Sequence, residues 1–306
     1  MFLPTDSPPP RRTVATADRP IPAGRAALAL HRSQLARAHL QHCHLCAHRC
    51  GVNRLAGETG PCHAGTTARV FHTQTEVSDE QEFAPVFAVA FSGCDLRCDF
   101  CNTGRQSWDP QAGTPVWQDA EPAPGLATIA SRARQALAHT ARSVMILGGE
   151  PTIHLPAVLD LVSTLPDDAR LVWKTNAHGT PEARALLDGL FEVWVADYKF
   201  GQDTCAFRLA GVPDYTVTVR ENLLWARGHT DLIVRHLLMP GHLDCCWRPV
   251  AEWLASALPG VKVSLRTGFW PGWFSARHRE LDQTTTRAEE TRARELAVQL
   301  GLHLIP

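Results

Sequence analysis

No apolar run in the 306-residue sequence approaches the roughly 20 residues that a membrane-spanning helix requires. A dominant charge is missing as well. Lys and Arg number 30 against 31 Asp and Glu, for a net charge of −1. No global field therefore gathers nucleic acid or an anionic membrane, and neither is expected as a partner. Residues 1–20 hold prolines and arginines but no apolar secretory core, and residues 1–24 read as a disordered lead-in. The cysteines do not have the spread of a disulfide framework. Seven of the 10 fall in two short clusters, which suits a reducing compartment and an expected cytoplasmic location. With 44% hydrophobic residues, the chain can build one large domain with a smaller attachment.

One cluster lacks a ligand. Cys94, Cys98 and Cys101 are spaced C-x3-C-x2-C, and the apolar run 85–91 leading into them reads as a buried strand. Three thiolates are too few to close a zinc site or an ordinary iron–sulfur centre. A cubane held by three cysteines leaves one iron open to another ligand.

Beyond residue 85, apolar runs alternate with helical segments. Runs at 86–91, 143–147, 170–173, 192–196, 232–238 and 261–265 give six β/α repeats, the pattern of a parallel sheet with helical crossovers. Polar groups follow most of these runs: the three cysteines, then Gly148-Gly149-Glu150, Lys174-Thr175-Asn176, Asp197 with Lys199, and Arg266-Thr267, while Arg235-His236 interrupts the fifth. In a β/α barrel the C-terminal strand ends share one mouth, where chemistry sits. Six repeats predict an α/β fold, a partial (β/α)6 TIM-like barrel open on one side, over residues 81–268. Gly148 and Gly149 allow close backbone approach and a sharp turn there, and Glu150 adds a carboxylate.

Cys94-x3-Cys98-x-Phe100-Cys101 resembles the signature of the radical S-adenosylmethionine superfamily. The resemblance implies a 4Fe–4S cluster on these three cysteines and S-adenosylmethionine on the open iron. Reductive cleavage then yields a 5′-deoxyadenosyl radical that abstracts hydrogen from a substrate, with flavodoxin or ferredoxin as electron donor. Gly148-Gly149-Glu150-Pro151 resembles the family motif that recognises the methionine amino group, and Thr175-Asn176 its Thr-Asn element, with Ala177 where Gly is usual. Asp197, Lys199 and His236 resemble strand-end residues of the pyruvate formate-lyase activating enzymes, which implies catalytic roles for them and a glycine of a partner protein as target. The plainer readings are a structural ion pair for Asp197 and Lys199 and a barrel-interior histidine for His236. Residues 43–62, 173–176 and 234–241 are similar to a subgroup of activating-enzyme homologues of undefined substrate. Two departures stand out. The extra cysteine element precedes the cluster motif instead of following it, and Asn102-Thr103 replaces the subgroup's usual Gln-Asn after the last cysteine.

That extra element spans residues 25–80. A helix is expected at 26–40, followed by a Gly-punctuated loop holding Cys43, Cys46, Cys50 and Cys62. Four cysteines fit zinc or a second iron–sulfur cluster, and a small segment with little apolar content needs such a staple. His42, His44, His48 and His63 read as solvated loop residues. Residues 269–306 carry an aromatic stretch, either a lid or a packing element, and a helix starting near Thr286. Cys205, Cys245 and Cys246 read as core or loop residues. Two alternatives to the activating-enzyme reading stay open: a radical enzyme acting on a small molecule or peptide, and a zinc-stapled binding or scaffold protein.

Overall fold

The computed structural model describes residues 24–77 and 80–306; the lead-in expected at 1–24 lies, up to residue 23, outside the described residues. Helix α1 (Arg25–Arg37) precedes the cysteine loop. Strand β1 (Ala68–Glu76) then pairs antiparallel with β2 (Val86–Phe91). A short helix α2 (Arg105–Trp108) and strands β3 (Thr114–Gln118) and β4 (Glu121–Pro122) follow. The repeats continue as α3 (Pro124–His139), β5 (Ser143–Gly148), α4 (Leu155–Val162), β6 (Leu171–Thr175), α5 (Pro181–Leu187) and β7 (Val193–Asp197). They close with α6 (Asp203–Ala210), α7 (Tyr215–His229), β8 (Asp231–Leu237), α8 (Arg248–Ala257) and β9 (Lys262–Arg266), before α9 (Arg287–Gln299) and the two-residue β10 (His303–Leu304).

The sheet order is β10-β9-β8-β7-β6-β5-β2-β1-β3-β4. From β2 through β9 every pairing is parallel, and the order never reverses. A doubly wound sheet reverses at a switch point; a sheet wound in one direction keeps its helices on one face and curls. The curl is visible in side-chain contacts across the open side. Ser264 Oγ on β9 donates to Glu80 Oε1 at 3.2 Å, and Lys262 Nζ meets Glu82 at 2.9 Å. The lead-in to β2 thus meets the opposite end of the parallel run. The six expected strands are β2 and β5 to β9 of this partial barrel, and the two-residue β10 adds one more parallel pairing.

Burial sorts each strand by parity, because successive side chains point to opposite faces. Val86, Ala88, Met145, Val172, Val193, Val195 and Ile233 join Phe83 in a cluster inside the barrel. The alternate residues, such as Phe87, Val144, Trp173, Trp194 and Val234, join the larger core beneath the helices. All six residues of β2 are buried, as expected of a strand covered on both faces.

Local signals place the helices. Thr180 Oγ1 accepts from Ala183 N at 3.2 Å with Pro181 in the first turn, and Thr286 and Glu289 form a capping box at the start of α9. Helix α1 is tied down through Asp160 on α4. That buried carboxylate accepts from Ser33 Oγ at 2.5 Å, Arg37 Nη2 at 3.0 Å and Trp117 Nε1 at 2.8 Å. The aromatic stretch of the tail packs instead of standing free: Trp108 lies 5.7 Å from Trp273 and 5.3 Å from Phe274 between ring centres.

Phe83 has no exposed surface and plugs the barrel interior. Phe83→Ala should destabilise the protein by about 3–5 kcal/mol, read as a lower urea midpoint at unchanged slope. A loss under about 1 kcal/mol would show that the interior collapses onto the gap.

Candidate active site

The loop after β2 is held from several directions. Ser92 N donates to Arg69 O at 2.9 Å, Gly93 N to Gln106 O at 3.0 Å, Arg97 N to Ala210 O at 3.2 Å and Asp99 N to Leu209 O at 2.9 Å. A hairpin strand, a short helix and the C-terminal carbonyls of α6 therefore fix one cysteine loop. Phe274 N adds a bond to Asp99 O at 2.8 Å, which docks the aromatic tail on the same loop.

The glycine pair after β5 fits against this loop. A β-carbon at Gly148 would stand 2.1 Å from Phe91 O, and one at Gly149 would stand 2.0 Å from Gly93 O. Gly149 N and Glu150 N donate to those two carbonyls, each at 2.9 Å. The close approach expected of these glycines is therefore to the cysteine loop's backbone, and it brings β5 flush with the loop.

Cys94, Cys98, Cys101, Gly148, Gly149, Asn176, Asp197 and Lys199 line one cavity of about 230 Å³ at the strand ends. Residues expected from four separated segments thus supply one wall or another of a single space. Cys94 and Cys98 are buried and Cys101 is half-buried. Two groups of three or more potential metal ligands have all their ligand atoms within 4.8 Å of one another among the described residues. The three loop cysteines are in neither group, so their sulfurs surround a space too wide for one shared ion. Burial pushes the Cys98 thiol up to about 12 and also holds Cys94 well above the ordinary thiol range. Thiols held this way make poor free nucleophiles. As thiolates they call for a compact cationic occupant, and a multi-iron centre fits both the charge and the width.

Residues 85–185 match a family described as a 4Fe-4S single cluster domain. The match runs from the start of β2 into α5 and contains the three cysteines, the glycine pair and Asn176. An uncharacterized protein of Methanocaldococcus jannaschii is 29% identical over 276 residues, covering 89% of this chain and 79% of its own length. Streptococcus suis SuiB, solved bound to S-adenosylmethionine, is similar at a TM-score of 0.49 and 16% identity, over 69% of this chain and 47% of SuiB. This chain thus spans about half the length of SuiB. QueE from Escherichia coli is similar at a TM-score of 0.43 and 14% identity, over 78% of this chain and 92% of QueE.

Two expected site residues do not line this cavity. Glu150 does not line the cavity. Its carboxylate accepts from Thr152 N and Oγ1 at 3.1 and 2.6 Å, Thr175 Oγ1 at 2.8 Å and Asn176 N at 2.7 Å. Burial and the nearby Asp95 push it up to about 7. In this structure Glu150 braces the loop after β6. His236, expected at the mouth, is displaced further. It lies on the helix side of β8 with its ring 5.0 Å from Trp247, and its Nδ1 is 2.6 Å from Tyr198 O. Strand parity puts its neighbours Arg235 and Leu237 on the cavity instead.

Asp197 and Lys199 pair at 2.5 Å, each about a quarter exposed. Burial opposes both charges, yet the pair holds: Lys199 is raised by Asp197 and Cys98, and Asp197 is lowered by Lys199 and Arg235. Deeper in the barrel lies Glu80, fully buried, 3.6 Å from Lys174 and 3.9 Å from Arg235. Nothing in the residues around Glu80 marks it for the barrel interior. Lys174 and Arg235 left a signal, as single charges inside otherwise apolar strands.

The N-terminal cysteine element docks behind the cluster loop. Cys46 bridges Gly179, Ala47 N donates to His178 O at 2.9 Å, and Thr180 N donates to Leu45 O at 3.2 Å. Cys43, Cys46 and Cys62 are buried and Cys50 is half-buried, but these four are likewise in neither compact ligand group. Arg54 lies among them instead. Its Nη2 is 3.1 Å from Cys43 Sγ and 3.8 Å from Cys62 Sγ. No three of these sulfurs gather within 4.8 Å of one another.

Asp95 joins the two halves. It is 1% exposed and accepts from Asn176 Nδ2 at 2.7 Å, with His178 Nδ1 also at 2.7 Å; its carbonyl meets His48 Nε2 at 3.0 Å. His48, read from sequence as solvated, is thus engaged. Breaking one side of a buried, hydrogen-bonded charge typically costs about 3–5 kcal/mol. Asp95→Ala should lose stability of that order and release cluster iron faster on dilution. Retained stability and retained iron would remove Asp95 from this role.

Proposed function

We propose that the chain is a radical S-adenosylmethionine enzyme. The observation that carries this reading is the cavity itself: three cysteine sulfurs, too widely set to share one ion, open beside a glycine pair at the C-terminal strand ends. Cys94, Cys98 and Cys101 would hold a 4Fe–4S cluster. When bound, that group supplies an open iron for the methionine moiety and the electron that cleaves the sulfonium to a 5′-deoxyadenosyl radical.

The chain's own residues do the positioning. Gly148 and Gly149 let β5 lie against the cysteine loop, so the cavity wall beside the sulfurs is backbone. Lys199, kept charged by Asp197 and Cys98, adds an ammonium to the cavity lining within the reach of an anionic group. Leu96, Phe100, Leu147 and Leu237 line the same space, and apolar walls exclude the water that would quench a reactive intermediate. Asn176 connects the cavity to Asp95 and so fixes the loop that carries Cys94.

The target is a substrate at the barrel mouth. The resemblance to activating enzymes supports a glycine Cα in a partner protein, with flavodoxin or ferredoxin as donor. A small molecule or a peptide would use the same mouth, and the zinc-scaffold alternative would leave the loop cysteines without iron.

Anaerobically reconstituted protein should carry about four irons at the loop cysteines and release 5′-deoxyadenosine from S-adenosylmethionine under a low-potential reductant. Cys98→Ala should abolish this product. Iron-free protein with zinc alone, or full turnover in Cys98→Ala, would sink the reading. With a glycine-deuterated candidate partner, deuterium in the 5′-deoxyadenosine would identify a glycine target; its absence while product still forms would point to another substrate.

A further inference from the structure

Three cysteines that the cluster does not use come together with one histidine. Cys205 lies in α6, and His242, Cys245 and Cys246 lie in the turn before α8. Their four ligand atoms are all within 4.8 Å of one another. His242 Nδ1 is 3.3 Å from Cys245 Sγ and 3.4 Å from Cys246 Sγ, and the two sulfurs are 4.0 Å apart. Cys205, Cys246 and His242 are buried and Cys245 is half-buried.

These separations are those of a tetrahedral ion. Zn–S bonds of about 2.3 Å and a Zn–N bond of about 2.0 Å put sulfurs roughly 3.8 Å apart and sulfur roughly 3.5 Å from nitrogen. Hydrogen bonding accounts for the cluster less well, since the single Nδ1 position can serve one sulfur at a time while both sit at the same range. The local backbone explains how adjacent cysteines face one point. Residues 242, 245 and 246 stand at i, i+3 and i+4, which share a helical face. Cys246 N and Trp247 N both donate to His242 O, at 3.0 and 3.1 Å, in a π turn over Leu243–Trp247. Gly201 lets α6 come close enough for Cys205 to complete the set, since a β-carbon there would meet Cys246 O at 2.3 Å.

We propose that Cys205, His242, Cys245 and Cys246 bind a structural zinc ion through three sulfurs and Nδ1. The ring's other nitrogen lies 3.6 Å from Glu280 Oε1 and 3.3 Å from Arg208 Nη2. With Nδ1 on the metal, Nε2 carries the proton; Arg208, which can only donate, then turns its Nη2 aside and leaves the Glu280 carboxylate as the acceptor beside the ring, as is common around zinc histidines. Four protein ligands leave no open position, so the ion staples and does not catalyse. What it staples matters for the cavity. Helix α6 carries Cys205, and its Leu209 and Ala210 carbonyls hold the backbone of Asp99 and Arg97 in the cysteine loop. The ion would therefore anchor the helix against which the loop is set. This inference does not depend on the radical reading, since it concerns different ligands and a different metal.

The full chain, purified with zinc(II) present, should hold about one zinc in a shell of three sulfurs and one nitrogen, read by X-ray absorption at the zinc edge. His242→Ala should lose that zinc while iron bound at the loop cysteines is retained. His242→Cys should keep it with the shell changed to four sulfurs, which separates ligation from mere packing if the alanine variant fails to fold. A wild-type shell of four sulfurs would place the zinc at the N-terminal cysteines and overturn the proposal. So would the absence of zinc, zinc unchanged in His242→Ala, or a mass deficit of two hydrogens mapping to a Cys245–Cys246 disulfide.

Discussion

A single buried carboxylate, Asp95, holds the site together. It sits between Cys94 and the rest of the cysteine loop, where desolvation penalises its charge. His178 and Asn176, both on the loop after β6, outweigh that penalty and keep it lowered. The same residue's carbonyl engages His48 of the N-terminal element. Three segments far apart in sequence, around residues 48, 95 and 177, therefore share one polar centre that water does not reach. A half-satisfied centre of this kind is worse than none, so the three segments order together or not at all. This explains why the N-terminal cysteine element lies flat against the barrel through a backbone bridge at Cys46 and Gly179 instead of forming a separate lobe.

Ala177 shows the same constraint from the backbone side. It adopts a left-handed φ of 57°, a conformation that costs a residue with a β-carbon about 1–2 kcal/mol. The strain is held in place by hydrogen bonds on both sides: Ala177 N donates to Thr175 Oγ1 at 3.1 Å, and Asn222 Nδ2 donates to Ala177 O at 2.7 Å. The turn is what aims Asn176 back at Asp95. A glycine, the residue usual in the motif this stretch resembles, would relieve the strain but widen the choices of the unfolded chain. Either residue can serve, which is why the departure from the motif leaves the local geometry intact.

The large features were legible because they rest on period and spacing. Six apolar runs became six parallel strands, and eight expected site residues, from the cysteines to Lys199, line one cavity. What escaped has physical causes. The resemblance puts His236 at the mouth of β8, yet Arg235 is the one that faces the cavity. In a strand covered on both faces, apolar residues occupy both parities and the period-2 signal disappears. Residues 232–238 read Leu-Ile-Val-Arg-His-Leu-Leu, and nothing in that string says which polar residue points inward. Register settles it, since Arg235 pairs beside Asp197 of β7. Glu80 was unreadable for a different reason: it reaches Ser264 across the open side of the barrel, a contact 184 residues apart in the chain.

The Cys205 group escaped through its sequence separation as well. The i, i+3, i+4 face of His242, Cys245 and Cys246 is visible in the sequence, but three ligands in one turn are incomplete, and the fourth lies on another helix. The fold brings that helix in for a reason connected to the cavity. Between β7 and α6 the chain passes Asp197 and Lys199 on the mouth, then turns at Gly201 under the Cys245 and Cys246 carbonyls. The carbonyls that hold Asp99 and Arg97 belong to Leu209 and Ala210, at the far end of the same short helix. A shift of α6 along its axis would therefore disturb both Lys199 and the cysteine loop, which line the same cavity. A short helix of 8 residues makes too few internal hydrogen bonds to fix its own position in water; its position must come from tertiary contacts. The loop amides of Arg97 and Asp99 fix its C-terminal end, and Asp203, which accepts from Thr216 N at 2.8 Å, and the Cys205 side chain fix the other.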